Sequence, residues 1–191
     1  MKSQVGWGAL ALFGALGCRN SNMRDVASSP SLGPNESLVV FSRPGTAAGS
    51  GIQPRIFDGE TLIGMIETGC RIEYRCSPGQ HLFVGLSAED SRAAVRADLA
   101  AGKTYYIQTD LATGKAGFLN WKTVLTFLPV LKTHPDWGKA TAYSEMTLRE
   151  LDPLKRAKLE AEDRKDLEEV RAHFMGPGKD ELLTMSAVDG W

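Results

Sequence analysis

Two side chains with nucleophile-and-base chemistry, Cys76 and His81, flank the tetrapeptide Ser77-Pro78-Gly79-Gln80. Pro at the second position and Gly at the third satisfy a type II turn. A hairpin through that turn could bring the thiol to the imidazole, the pairing that activates a cysteine for hydrolysis. Two features count against it. No oxyanion donor or orienting acid is legible nearby, and the register that sets Cys76 opposite His81 turns Leu82 to solvent. A thiol-dependent hydrolase using Cys76 and His81 is therefore the secondary expectation, and no catalytic residue is expected in the primary one. His81, His134 and His173 stand far apart, with no Cys or carboxylate at ligand spacing, so neither a metal nor another cofactor is expected. The run "AAGKT" at 100–104 imitates the end of a phosphate-binding loop, but Ala97 stands where the first glycine belongs and β-type sequence follows. "KDEL" at 179–182 is internal and is no retention signal.

Cys70 and Cys76 invite a disulfide, yet on one extended strand their Cα atoms would be about 20 Å apart, against a bridging limit of ~7 Å. Either the segment bends near Glu73, or both thiols act as small buried apolar groups; the second reading is preferred.

The third cysteine, Cys18, is set up for different chemistry. Lys2 is the only charge before Arg19, and residues 5–16 are uniformly apolar or glycine. That pattern matches the n-region and h-region of a secretory signal and is too short for a spanning helix. The closing tetrapeptide Ala15-Leu16-Gly17-Cys18 resembles the lipobox of bacterial lipoproteins, departing from it at Ala15, where Leu is usual. An uncleaved anchor, ordinary secretion and a chance apolar start remain as alternatives. The resemblance implies cleavage after Gly17, a diacylglyceryl group on the Cys18 thiol and a third chain on its amino group. One acyl chain holds a protein marginally, whereas two or more attach it durably. Arg19 occupies the position where an Asp would retain such a protein at the inner membrane, so the expected location is the bacterial cell envelope at the outer membrane, with the lipid as its membrane partner.

The chain has 191 residues, 42% of them hydrophobic and 24% charged, enough for one domain with a real core. Twenty-two basic residues against 23 acidic ones leave a formal charge of −1, so no nucleic-acid partner is expected.

Beyond the signal peptide at 1–17, residues 18–36 are rich in Ser, Asn and Pro and are expected to form a flexible tether. Strands are expected from 38–41, "LVVF", onward. The segments "IQPRIF" and "TLIGMIE" meet at Asp58-Gly59, a tight-hairpin dipeptide, and Pro54 suggests an edge strand. "CRIEYRC" alternates apolar and charged residues, and "HLFVGL" returns from the Pro-Gly turn. "RAAVRADL" at 92–99 alternates again, with a helical alternative left open by its alanines. "TYYIQTDL", "ATGK" and "AGFLNWKTVLTFL" read as strand, turn and long strand, with Trp121, Leu125 and Phe127 filling the core. The sum is a mostly β chain: an antiparallel sandwich of six to eight short strands over 37–131. A connecting segment at 132–152 leads to a charged helix at 153–175, set by Asp152-Pro153 and Gly176-Pro177. Its thin apolar stripe is Leu159, Leu167, Val170 and Phe174, with Asp163 in the middle. Residues 176–191 are expected to be a disordered tail.

Within this pattern "LVVFSRP", "DGETLIGMIETG", "SPGQH" and "LAAGKTYYIQ" carry a resemblance, over 38–128, to the DUF2846 family of small bacterial envelope proteins. It implies a sandwich of the carboxypeptidase-regulatory or PEGA-like kind and no catalytic residue; the charged helix lies outside it. The expected function is a lipid-anchored envelope protein with a non-catalytic binding or structural module. A further alternative is a subunit of an envelope assembly, docked on an envelope protein partner through the C-terminal helix.

Overall fold

The computed structural model describes residues 20–28, 31–45, 51–87, 91–115, 121–130 and 146–190, without the side chains of 113–115 and 121–123. Cys18, the expected signal segment 1–17, His134 and the Trp121 side chain lie outside that description. In chain order the strands are β1 (Met23–Asp25), β2 (Ser37–Arg43), β3 (Arg55–Asp58), β4 (Thr61–Met65), β5 (Cys70–Cys76), β6 (Gly79–Leu86), β7 (Arg92–Leu99), β8 (Thr104–Lys115), β9 (Trp121–Pro129), β10 (Thr147–Leu151) and β11 (Leu183–Met185). A long helix, α1 (Pro153–Met175), follows β10.

The strands form two sheets, a six-stranded one ordered β1-β10-β5-β2-β8-β9 and a five-stranded one ordered β11-β7-β6-β3-β4. The molecule is thus a mostly β sandwich with a C-terminal helix. Period-two alternation in β2, β6, β8 and β9 sends Phe41, Phe83, Ile107, Leu125 and Phe127 into the core between the sheets, each at most 2% exposed. Phe41 meets Phe83 edge-on at 5.3 Å, an aromatic contact that joins the sheets, and lies 6.1 Å from Phe127 of its own sheet.

Several expectations are corrected. The sheets are mixed, not purely antiparallel: β2 pairs in parallel with β8, β10 with β5, and β11 with β7. Parallel neighbours need a crossover, and here excursions into the opposite sheet supply it. The Pro-Gly segment does not close a hairpin. β5 pairs with β2, while β6 pairs with β3 and β7, so Ser77-Pro78 arches from one sheet to the other. Gly79 at φ +123° gives the arch a backbone angle that a side chain resists. β3 is an interior strand despite Pro54, which lies just before it and loses no ladder bond; its carbonyl accepts from the Ile66 amide at 2.9 Å. The supposed turn "ATGK" continues β8, pairing Ala112 with Val124 and Lys115 with Trp121.

The tether expected over 18–36 is docked near its start. Asn20 and Asn22 bind the body, and β1 pairs with β10 over Met23↔Leu151 to Asp25↔Arg149. The Met23 side chain enters the core because Gly64 leaves room: a Cβ there would stand 3.1 Å from Met23 Cε and 2.9 Å from Ile72 Cδ1. At the other end, β11 lies inside the supposed tail and covers the edge of β7, burying Met185. Three residues are too few to show a period.

The helix forms over the expected residues, with the Asp152 carboxylate accepting from the Leu154 amide at 3.0 Å. Leu159, Leu167, Val170 and Phe174 are buried with Asp163 among them, and Asp163 pairs with Arg55 of β3. Burial raises the Asp163 pKa, against the pull of Arg55. One turn earlier, the Glu160 carboxylate accepts from the Leu62 amide at 2.9 Å and the Arg156 guanidinium donates to the Leu62 carbonyl. These two side chains, four apart on one face, satisfy the backbone groups of Leu62 on edge strand β4.

Candidate functional site

The Ser77-Pro78 arch and the β3–β4 turn lie at the same end of the sandwich, and between them opens a cleft of about 470 Å³ lined by Asn35, Glu36, Asp58, Tyr74, Arg75, Cys76, Ser77 and His81. Asp58 is the last residue of β3, where the Asp58↔Thr61 pairing closes the hairpin. Its Oδ2 accepts from His81 Nδ1 at 2.7 Å and from the Tyr74 hydroxyl at 3.0 Å. The second ring nitrogen of His81, Nε2, donates to the Ser77 carbonyl at 2.9 Å, and the ring stacks on Phe83 at 5.7 Å with planes 6° apart. At the rim Arg75 pairs with Glu36 at 3.1 Å.

With an acceptor facing each nitrogen, the protonated ring satisfies both contacts and a neutral one leaves an acceptor unmet. The Asp58 hydrogen bond raises the His81 pKa, opposed by burial and aided by the Ser77 carbonyl. Cys76 points elsewhere, its Sγ 3.8 Å from the Ser37 carbonyl. Burial, with the negative charge of Asp58 adding to it, pushes the Cys76 thiol up to about 12. Tyr74 is raised for the same two reasons.

The sequence-derived pair therefore shares a cleft without the geometry of a nucleophile and its base. Cys76 and His81 sit on strands of different sheets, and His81 spends both nitrogens on Asp58 and Ser77. With Nδ1 on Asp58 and Nε2 on Ser77, and the thiol on the Ser37 carbonyl, the two groups are not hydrogen-bonded to one another. Cys70 and Cys76 are half-buried at opposite ends of an extended strand, so the bend that a bridge between them required is absent. The cleft holds the orienting acid that local reading missed. Locally, Asp58 reads as a turn residue and Tyr74 as part of the apolar alternation of β5; the β3–β6 pairing sets Asp58 beside His81, and Tyr74 joins them from the opposite sheet. His173 is remote from this group, at the end of α1 beside Glu181. Among the described residues no group of His, Cys, Asp or Glu is arranged to hold a metal ion.

At the opposite end of the sandwich is a second polar group. Arg149 of β10, 3% exposed, pairs with Glu67 at 2.8 Å and with Asp25 at 3.1 Å. It also donates to the carbonyls of Asn20 and Met23 at 3.1 and 2.5 Å. The Asn20 amide donates to Glu67 and its side chain to Gln53, each at 2.5 Å, while Asn22 accepts from the Asp152 amide at 2.9 Å. Arg43 lies at this end too, buried at 2% exposure and donating to the Ile52 and Ile66 carbonyls. These contacts stitch the N-terminal segment across the seam where β10 meets β4.

Among the described residues no helix is long and apolar enough to cross a membrane. Comparison of the chain with protein-family models, curated proteins and solved structures found no match.

Proposed function

We propose that this chain is a bacterial envelope lipoprotein, held at the outer membrane by lipid on Cys18, whose β-sandwich is a non-catalytic binding or structural module. The observation that carries the reading is the apolar run 5–16 ending on Ala15-Leu16-Gly17-Cys18. Lipid chains on the thiol and the new amino group would give durable attachment. The likeness of residues 38–128 to the DUF2846 family agrees with such a module. The cleft supports binding over turnover, because Asp58, Tyr74 and His81 satisfy one another and Cys76 is kept as a neutral thiol. A docking role for α1 has less support, since its apolar stripe is buried on the chain's own sandwich.

The test is detergent phase partitioning of the protein produced in a bacterial host, beside Cys18→Ala. The wild-type chain is expected in the detergent phase and the variant in the aqueous phase or retained as uncleaved precursor. Equal partitioning of both into the aqueous phase overturns the reading.

A further inference from the structure

The clamp on Asn20 bears on how an anchored sandwich would sit. Cys18 stands two residues before Asn20, and two residues of extended chain reach about 7 Å. Asn20 itself has little freedom. Its amide is held by Glu67, its side-chain amide by Gln53, its carbonyl by Arg149, and the next turn of chain buries Met23 at 5% exposure. A lipid on Cys18 would therefore attach to a fixed point on a rigid body, with almost no slack between bilayer and domain.

β5 measures where that leaves the cleft. Its first residue, Cys70, donates its amide to the Glu67 carbonyl beside the clamp, and its last, Cys76, lines the cleft. Six steps along a strand cover about 20 Å. Resting on the proposed anchor at Cys18, we infer that the seam around Asn20, Glu67 and Arg149 is the face that meets the lipid surface, and that the Asp58–His81 cleft opens away from it toward the aqueous space.

The experiment uses the full lipidated chain, in a Cys70→Ser, Cys76→Ser background, reconstituted into phosphatidylethanolamine and phosphatidylglycerol vesicles carrying a headgroup nitroxide. A fluorophore is placed on Gly51→Cys, an exposed position with open space around it and two residues from Gln53, or on Gln80→Cys, an exposed position beside His81. Quenching is expected to be several-fold stronger at 51 than at 80. A Gly/Ser spacer of about ten residues between Arg19 and Asn20, spanning about 17 Å on average, should bring the two close to equal. Vesicle-bound protein with equal quenching at both sites, or a contrast that survives the spacer, overturns the orientation and leaves the anchor intact. Protein that fails to stay with the vesicles overturns the anchor and the orientation with it.

Discussion

The two polar ends of this sandwich are each built on charge-assisted hydrogen bonds and put them to different use. At the seam, Arg149 is buried and its partners, Asn20, Met23, Asp25 and Glu67, come from segments more than 80 residues away. At the cleft, Asp58, Tyr74 and His81 are half-buried, open to solvent on one side, and joined by shorter sequence separations. A buried charge must keep its partners because an uncompensated one is far costlier than a solvated one. The seam is thus a fastening, and the cleft a polar surface open to solvent.

The largest expected effect lies at the seam. Arg149→Ala strands Glu67 in a nearly dry position and should lower unfolding free energy by about 3–5 kcal/mol, read as a fall in the urea midpoint. If the change is as small as at an exposed pair such as Arg24–Glu150, typically under about 1 kcal/mol, the contrast between the ends fails.

At the cleft, Asp58→Asn should cost about 1–3 kcal/mol, the range for a charge-assisted hydrogen bond to a partly buried partner. Its clearer mark is on pH dependence. Because the folded-state pKa of His81 is raised, its contribution to stability is fully present below its unfolded pKa and is lost as pH rises through the folded value. Denaturant midpoints measured from slightly acid to mildly alkaline pH should therefore fall over that window in the wild type, and the fall should shrink in Asp58→Asn. A pH slope that is unchanged by the substitution would assign it to another group.

Cys76 sharpens the same comparison kinetically. With the thiol pushed to about 12 from an ordinary 9.0, the thiolate fraction near neutrality drops roughly 1000-fold. Iodoacetamide labelling of the folded protein should be correspondingly slow at Cys76 and should reach normal rates in denaturant. Fast labelling of Cys76 in the native state would restore the thiol-enzyme reading. The smallest effect is expected at Glu160→Ala, about 1 kcal/mol for one backbone cap, accompanied by concentration-dependent self-association through the uncovered β4 edge, measurable by light scattering.

Local rules reached far into this fold where the determinant was itself local. Asp58-Gly59 marks the β3–β4 hairpin, Asp152-Pro153 and Gly176-Pro177 bound the helix, and alternation in β5 and β7 marks strands. They failed where pairing is remote. Nothing near Leu38 announces a parallel partner at Thr104, and nothing near Leu183 announces Val95. Pro-Gly at 78–79 specifies a backbone angle that serves a hairpin and an arch alike, and the choice between them falls to β2, whose seven residues pair along the whole of β5. The candidate site was half legible for the same reason. Cys76 and His81 are visible as reactive types, whereas Asp58, which takes the imidazole for itself, is brought there by tertiary structure alone. The N-terminal clamp also had no local signal, because a Ser- and Asn-rich stretch reads as linker until Met23 finds the space above Gly64.

The anchor is tested most directly by the intact mass of the protein extracted from bacterial membranes. The account predicts a chain that begins at Cys18, having lost residues 1–17, and is heavier than its amino-acid composition by a diacylglyceryl group and one further acyl chain. A mass equal to the unmodified polypeptide, whether full length or cut elsewhere, would contradict it.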